Sequence, residues 1–197
     1  MKGSLLVVGM LMAGVAAATP AQHGAGQPID APPQAWLRVE IPAGSAIKYE
    51  VDTAGRVFVD RFLPGAEVYP ANYGGLPGTV AGDGDPLDAL VITRQPLPPG
   101  VHIAFRPIGV LHMLDGGHGD QKLIGVPVQG VDADYRDIHE LDQLPASLRA
   151  RIAGFFAGYK ADQPGGNPVQ LEGWGNAASA RELLVQAITA GNAGPGQ

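Results

Sequence analysis

Three aspartates, Asp83, Asp85 and Asp88, fall within six residues of the stretch GDGDPLDALV (82–91), which then turns apolar at once. Carboxylates this close raise one another's pKa unless a cation intervenes. An EF-hand loop would need a D-x-D-x-D-G frame ending on an acid at its twelfth position. Counted from Asp83, the fifth residue is Leu87, the sixth Asp88 and the twelfth Arg94, so that reading fails. An Asx-turn ahead of a strand explains one such aspartate but not three. Pro86 stiffens the backbone between Asp85 and Asp88, which suits a rigid ligand array.

Other polar groups recur in the same spirit. DGGHGDQK (115–122) carries Asp115, Asp120 and Lys122 on what reads as a flexible glycine-rich loop. EVYPANYGG (67–75) carries Tyr69, Asn72 and Tyr73; Arg61 follows Asp60; Tyr159 and Lys160 close a helical stretch. Each alone has a bland reading, packing for a tyrosine at a helix end or solvation for an arginine after a strand. The five histidines form no H-x-H or H-E-x-x-H pattern, and there is no cysteine, G-x-S-x-G elbow, Walker A loop or G-x-G-x-x-G. These absences argue against a zinc hydrolase and against thiol, serine-elbow and dinucleotide chemistry. What remains is rich in oxygen donors. Carboxylates favour Mg²⁺, Mn²⁺ or Ca²⁺, and lysine, arginine and tyrosine hydroxyls suit phosphate oxygens. Metal plus phosphate indicates phosphoryl transfer or hydrolysis.

Strands must position most of these groups. In WLRVEI (36–41), Leu37, Val39 and Ile41 share one face and Arg38 and Glu40 the other; in IKYEV (47–51), Lys48 and Glu50 share the polar face. Glu40, Lys48 and Glu50 are therefore expected together on adjacent strands. VFVD (57–60), LDALVI (87–92) and KLIGVPV (122–128) read as further strands. VHIAFRPIGVLHML (101–114) reads as a long one, bent near Pro107–Gly109. Two helices come late: one with Leu148, Ile152, Phe155, Phe156 and Tyr159 at helical spacing, and one capped by Asn176 with Leu183, Leu184, Ala187 and Ile188 inward. Strands first and helices last predict a mainly β (α+β) fold, a small barrel with helices outside.

Of the 197 residues 16% are charged, with 29 glycines, 18 prolines and a net charge of -6. Such a chain buries a real core, and its acidity argues against nucleic acid as a partner. Lys2, the apolar run Ser4–Val15 and Ala16–Ala18 predict a cleaved signal peptide over 1–21. Residues 22–34 read as a Gly/Pro/Ala-rich linker, 35–190 as the domain and 191–197 as a flexible tail. The expected location is periplasmic or secreted, with no stable membrane association after cleavage.

Taken in order, EIPAGSAIKYEVD, FVDRF, YPANYG, GDGDPLDALV, RPIGVLHMLD, GDQKLIGVP, FFAGYK and EGWGNAASA resemble the soluble family I inorganic pyrophosphatases over roughly Trp36–Ile188. The resemblance implies a five-stranded OB-like β-barrel with two flanking C-terminal helices. It implies hydrolysis of pyrophosphate to two orthophosphates with several Mg²⁺ ions, Mn²⁺ being the alternative ion. On that pattern Asp83, Asp88 and Asp120 match the tightest metal pair, Asp115 a ligand of ions arriving with substrate, and Glu40 and Glu50 acids holding further metal or its water. Asp85 matches the acid that positions or deprotonates the attacking water. Lys48, Arg61, Tyr73, Lys122, Tyr159 and Lys160 match phosphate-binding groups, Tyr159 and Lys160 standing with Asp85 among the catalytic set. Tyr69 matches an active-site tyrosine and Asn72 a nearby polar residue. Two metals that share a water lower its pKa and hold it in line with phosphorus. Bacterial members are expected to be homo-oligomers, a hexamer being the size to test. Gly116 and Gly75 depart from the pattern: relatives often carry an acid and an aromatic there, so an accessory metal is expected to bind more weakly. Two other readings stay open, a hydrolase of another phosphoanhydride such as short polyphosphate, and a non-catalytic phosphate- or metal-binding barrel.

Overall fold

Period-two burial builds the first strand of this computed structural model, which describes residues 26–193 apart from 29, 53, 65 and 161–167. The expected signal peptide lies outside the described residues, as do 194–197. In β1 (Ala35–Ile41), Ala35, Leu37, Val39 and Ile41 are fully buried, and Arg38 and Glu40 sit half-buried on the other face. Two further strands form a separate antiparallel ribbon, β2 (Ile47–Val51) with β3 (Val57–Phe62). Lys48 and Glu50 are thus not on a strand paired to β1, as expected above; the ribbon carries them to Glu40 from a second sheet.

The barrel closes through five strands. β1 pairs antiparallel with β4 (Asn72–Gly75), β4 with β5 (Asp88–Val91), and β5 runs parallel to β8 (Lys122–Pro127). β8 pairs with β6 (His102–Asp115), which returns to β1. The register of β6 shifts between Pro107 and Gly109, at the expected bend. β7 (His118–Gly119) and β9 (Val169–Asn176) add to β6. The GGHG segment is therefore a tight hairpin rather than a flexible loop. Gly116 and Gly117 form its two-residue turn at φ 59° and 84°, the left-handed backbone such a turn demands.

Strand alternation divides the core in two. Leu90 on β5 and Ile124 and Val126 on β8 face α1 (Ala146–Gly158), packing with Phe155, Phe156 and Tyr159. Ala89, Val91 and Leu123 face α2 (Ala177–Ala193), packing with Ala180, Leu184 and Ala187. Each fully buried Leu, Ile or Phe contributes about 1.5–3 kcal/mol. Asn176 caps α2, its Oδ1 accepting the Ser179 N–H at 3.0 Å.

Two expected boundaries shift. Helix α2 runs through Ala193, so residues 191–193 are not tail. At Gly191 the helix backbone lies so close to Gly78 that an added Cβ would sit 2.3 Å from its carbonyl oxygen. In the segment expected to be a linker, Gln27 is tied to the barrel. Its side chain donates to Trp36 O and Pro77 O, each at 3.0 Å, and accepts the Trp36 N–H at 2.8 Å.

Candidate active site

On β5, the same alternation that sends Leu90 into the α1 core puts Asp88 one turn of the pleat earlier, at the strand's open end. On β8, Lys122 precedes Ile124 in the same way. Asp88 and Lys122 are lateral partners, so they emerge together where the C-terminal end of α1 arrives with Phe156, Tyr159 and Lys160. The β2–β3 ribbon contributes Lys48, Tyr49, Glu50 and Arg61 from the side, and the loop before β5 contributes Asp83, Asp85 and Pro86. The result is a cleft of about 430 Å³, open to solvent.

Of the residues singled out from sequence, this cleft gathers Glu40, Lys48, Glu50, Arg61, Tyr69, Tyr73, Asp83, Asp85, Asp88, Asp120, Lys122, Tyr159 and Lys160. Asp115 stands behind the lining, ion-paired with Lys160. Asn72 is fully buried and points elsewhere. Its Oδ1 accepts from Ala43 and Leu97 N–H at 3.1 and 2.8 Å, and its Nδ2 donates to Thr93 Oγ1 at 2.7 Å, so it ties loops to the barrel. Arg38 is a lining residue that sequence reasoning passed over. The available signal was its position two residues before Glu40, on the same strand face.

Six carboxylates and five cationic side chains line the cleft, and all five cations and four of the carboxylates, Glu40, Glu50, Asp88 and Asp120, are in ion pairs. Lys122 Nζ donates to Asp88 Oδ2 at 2.6 Å and also to Asp120. Burial works against the Lys122 charge, but the two aspartates more than offset it, and its pKa is held well above the usual lysine range. Lys48 bonds Glu50 and lies 3.3 Å from Asp60, which Arg61 Nη1 meets at 2.6 Å. Burial works against the Lys160 charge too, yet Asp115 and Tyr159 raise its pKa. Burial pushes the Glu40 carboxyl up; the Arg38 hydrogen bond works the other way, and the Asp88 charge adds to the rise. Asp83 folds back on its own loop, its Oδ1 accepting the Asp85 N–H at 3.1 Å, while both side chains remain in exposed residues.

Aromatic rings fix the phenols. Tyr69 packs between Tyr73 and Phe155, with ring centroids 5.4 and 4.6 Å away, and Tyr159 stands edge-on to Phe156 at 5.4 Å. Tyr73 O–H donates to Asp88 Oδ2. Burial keeps Tyr69, Tyr73 and Tyr159 protonated as hydrogen-bond donors, an effect that Lys122 and Lys160 oppose in part at Tyr159.

The donor set suits a hard divalent ion: oxygen ligands only, on an open cleft, with Asp115 Oδ1 buried and lacking a hydrogen-bond partner. Among the described residues no three acids or histidines converge closely enough to hold a metal as they stand. The lysines take those oxygens, so an ion would enter by displacing ammonium groups from Asp88, Asp120 and Asp115.

A family model described as inorganic pyrophosphatase matches residues 37–192. The inorganic pyrophosphatase of Pseudomonas aeruginosa is 48% identical over 163 residues, covering 82% of this chain and 93% of its own. The structure of an inorganic pyrophosphatase from Thermus thermophilus aligns with a TM-score of 0.80 at 38% identity, over 85% of this chain and 98% of that one. A structure from Anaplasma phagocytophilum, described as an inorganic phosphatase, aligns with a TM-score of 0.82 at 42% identity, over 85% and 99%.

Proposed function

The chain belongs to the inorganic pyrophosphatase family and hydrolyses inorganic pyrophosphate to two orthophosphates, and we propose that it does so in the Asp88–Lys122 cleft with Mg²⁺. The observation that carries the assignment of the site is the meeting of acid and base in one cleft, six carboxylates with five cationic side chains. Asp83, Asp88, Asp120 and Asp115 would hold the Mg²⁺ ions, with Glu40 and Glu50 at the margin. Bound there, divalent ions supply a water of lowered pKa and neutralise phosphate charge.

The chain's own residues do the rest. Asp85, exposed on a loop stiffened by Pro86, accepts the proton of the attacking water. Lys48, Arg61, Lys122 and Lys160, ion-paired to carboxylates in this structure, would turn their donors to phosphate oxygens. Tyr73 and Tyr159 donate hydrogen bonds as neutral phenols. Tyr159 and Lys160, at the C-terminal end of α1, line the same cleft and would donate to oxygens where charge develops on the leaving group. The test is phosphate release from pyrophosphate, tripolyphosphate and ATP with Mg²⁺ and with EDTA. Release from pyrophosphate that EDTA abolishes supports the reading; tripolyphosphate as the faster substrate would replace it.

Self-association and export are part of the proposal. Val57, Val59 and Phe62 share one face of the β2–β3 ribbon and are exposed, Phe62 by 71%, an apolar face suited to a second copy of the chain. Lys2, the apolar run and the alanine triplet support export to the periplasm or beyond. N-terminal sequencing of native protein checks this: a start after Ala18 or Ala21 supports it, and a soluble cytosolic species starting at Met1 refutes it.

A further inference from the structure

Arg38 on β1 and Gly75 on β4 are lateral partners, and Gly75 is the lateral partner of Asp88 on β5. Lateral partners share a face of the sheet, with strands about 4.8 Å apart. Across three strands the row therefore reads cation, gap, anion. Glu40, two residues along β1 from Arg38, shares the gap with Pro86: its Oε1 lies 3.6 Å, and the Pro86 Cβ 3.3 Å, from where a side chain on Gly75 would begin. Arg38 Nη2 donates to that same oxygen at 3.1 Å. Asp88 and Glu50 are the acids that face Glu40, and Arg38 is the cation that opposes them.

Arg38 differs from the three lysines of the cleft. Lys48, Lys122 and Lys160 end in compact ammonium groups on flexible stems, which can swing from carboxylate to phosphate. The guanidinium is planar and permanently charged. Its Nε is buried and has no hydrogen-bond partner, so it is held on the strand face by packing and by Glu40. An ordinary surface pair would leave metal and substrate indifferent to it. Here the acid it holds is only 15% exposed and lies beside Asp88.

We propose that Arg38 is a positioning residue for Glu40, a resident cation that holds the carboxylate over Gly75 beside Asp88 and moderates how strongly the acidic side of the cleft attracts divalent ions. This rests on the reading of the cleft as the pyrophosphate-hydrolysing site. Two effects of removing Arg38 then run in opposite directions. The cleft gains one net negative charge, which draws Mg²⁺ more tightly. Glu40, repelled by Asp88 and no longer held, leaves its place, which slows the chemical step.

The experiment compares wild type, Arg38→Leu and Arg38→Lys. Calorimetry measures Mg²⁺ binding without substrate, and steady-state assays give kcat and KM for pyrophosphate. Arg38→Leu is expected to bind Mg²⁺ about 3–10-fold more tightly and to lose about tenfold in kcat. Arg38→Lys is expected to return Mg²⁺ affinity to the wild-type value while kcat stays reduced, because a compact ammonium on a flexible stem keeps the charge but not the rigid planar group that fixes the Glu40 carboxylate. Unchanged or weaker Mg²⁺ binding in Arg38→Leu overturns the proposal, as does unchanged kcat. A wild-type protein that releases no phosphate from pyrophosphate would instead overturn the underlying reading of the site. Arg38→Lys preserves size and charge, so the comparison survives if the leucine variant folds poorly.

Discussion

Asp88 and Lys122 face each other across the parallel β5–β8 pair, Nζ to Oδ2 at 2.6 Å, with the lysine 2% exposed. Register alone brings them together, and Asp120 and Tyr73 complete the contact. A buried ammonium with two carboxylates is a unit whose parts are costly to remove singly.

Lys122→Met should therefore destabilise the protein by about 3 kcal/mol in EDTA, because Asp88 and Asp120 lose their counter-charge. Saturating Mg²⁺ should recover most of that loss, since the ion supplies the missing charge. Melting curves with and without Mg²⁺ check this. Equal losses in both conditions would count against metal binding at Asp88 and Asp120.

The sign of the pH dependence follows from the same lysine. Its folded pKa is raised, so the pair's stabilisation is intact below the ordinary lysine value and declines as pH climbs from there toward the raised one. Wild-type stability in EDTA should fall above about pH 10 more steeply than that of Lys122→Met. Parallel curves for the two proteins would remove Lys122 as the cause.

Asp88→Asn should abolish most activity while retaining the fold, because the amide still accepts from Tyr73 and Lys122 but binds Mg²⁺ poorly. Circular dichroism and a phosphate-release assay measure the two effects. Near wild-type turnover would remove Asp88 from the metal set.

Asp85→Asn should lower kcat by about 10²–10⁴, the usual worth of a general base, with Mg²⁺ affinity little changed. Asp85 is exposed, so folding should be indifferent to the change. Mg²⁺ affinity that collapses together with rate would make Asp85 a ligand.

Phe62→Asp should reduce the particle mass measured by light scattering, since Phe62 is the most exposed large apolar residue on the β2–β3 ribbon. The wild-type mass should exceed the 20.3 kDa of one chain. A monomeric wild type would end the self-association proposal.

The glycine after Asp115 changes its meaning with the structure. From sequence it is a missing acid on a flexible loop, which a glutamate could supply. In the fold it holds φ 59° in a two-residue turn, so Gly116→Glu adds backbone strain to any gain in metal affinity.

The sequence by itself determined much of the barrel and most of the residues that meet in the cleft. Period-two runs such as Ala35–Ile41 allow one pleated arrangement when one face is apolar. Asp83, Asp85 and Asp88 are close along the chain in any fold, so their need for cations is local. β4 escaped because Asn72–Gly75 is short and ends in two glycines, and β9 because glycines interrupt the alternation that Val169 and Leu171 begin. Which cation meets which acid was likewise beyond the sequence. Arg38 reaches Glu40 along one strand, but Lys122 meets Asp88, and Lys160 meets Asp115, only through strand register and helix docking. Those contacts join residues 34 and 45 positions apart. Local pattern sets which face a side chain takes, whereas a contact at that range depends on how the whole barrel closes.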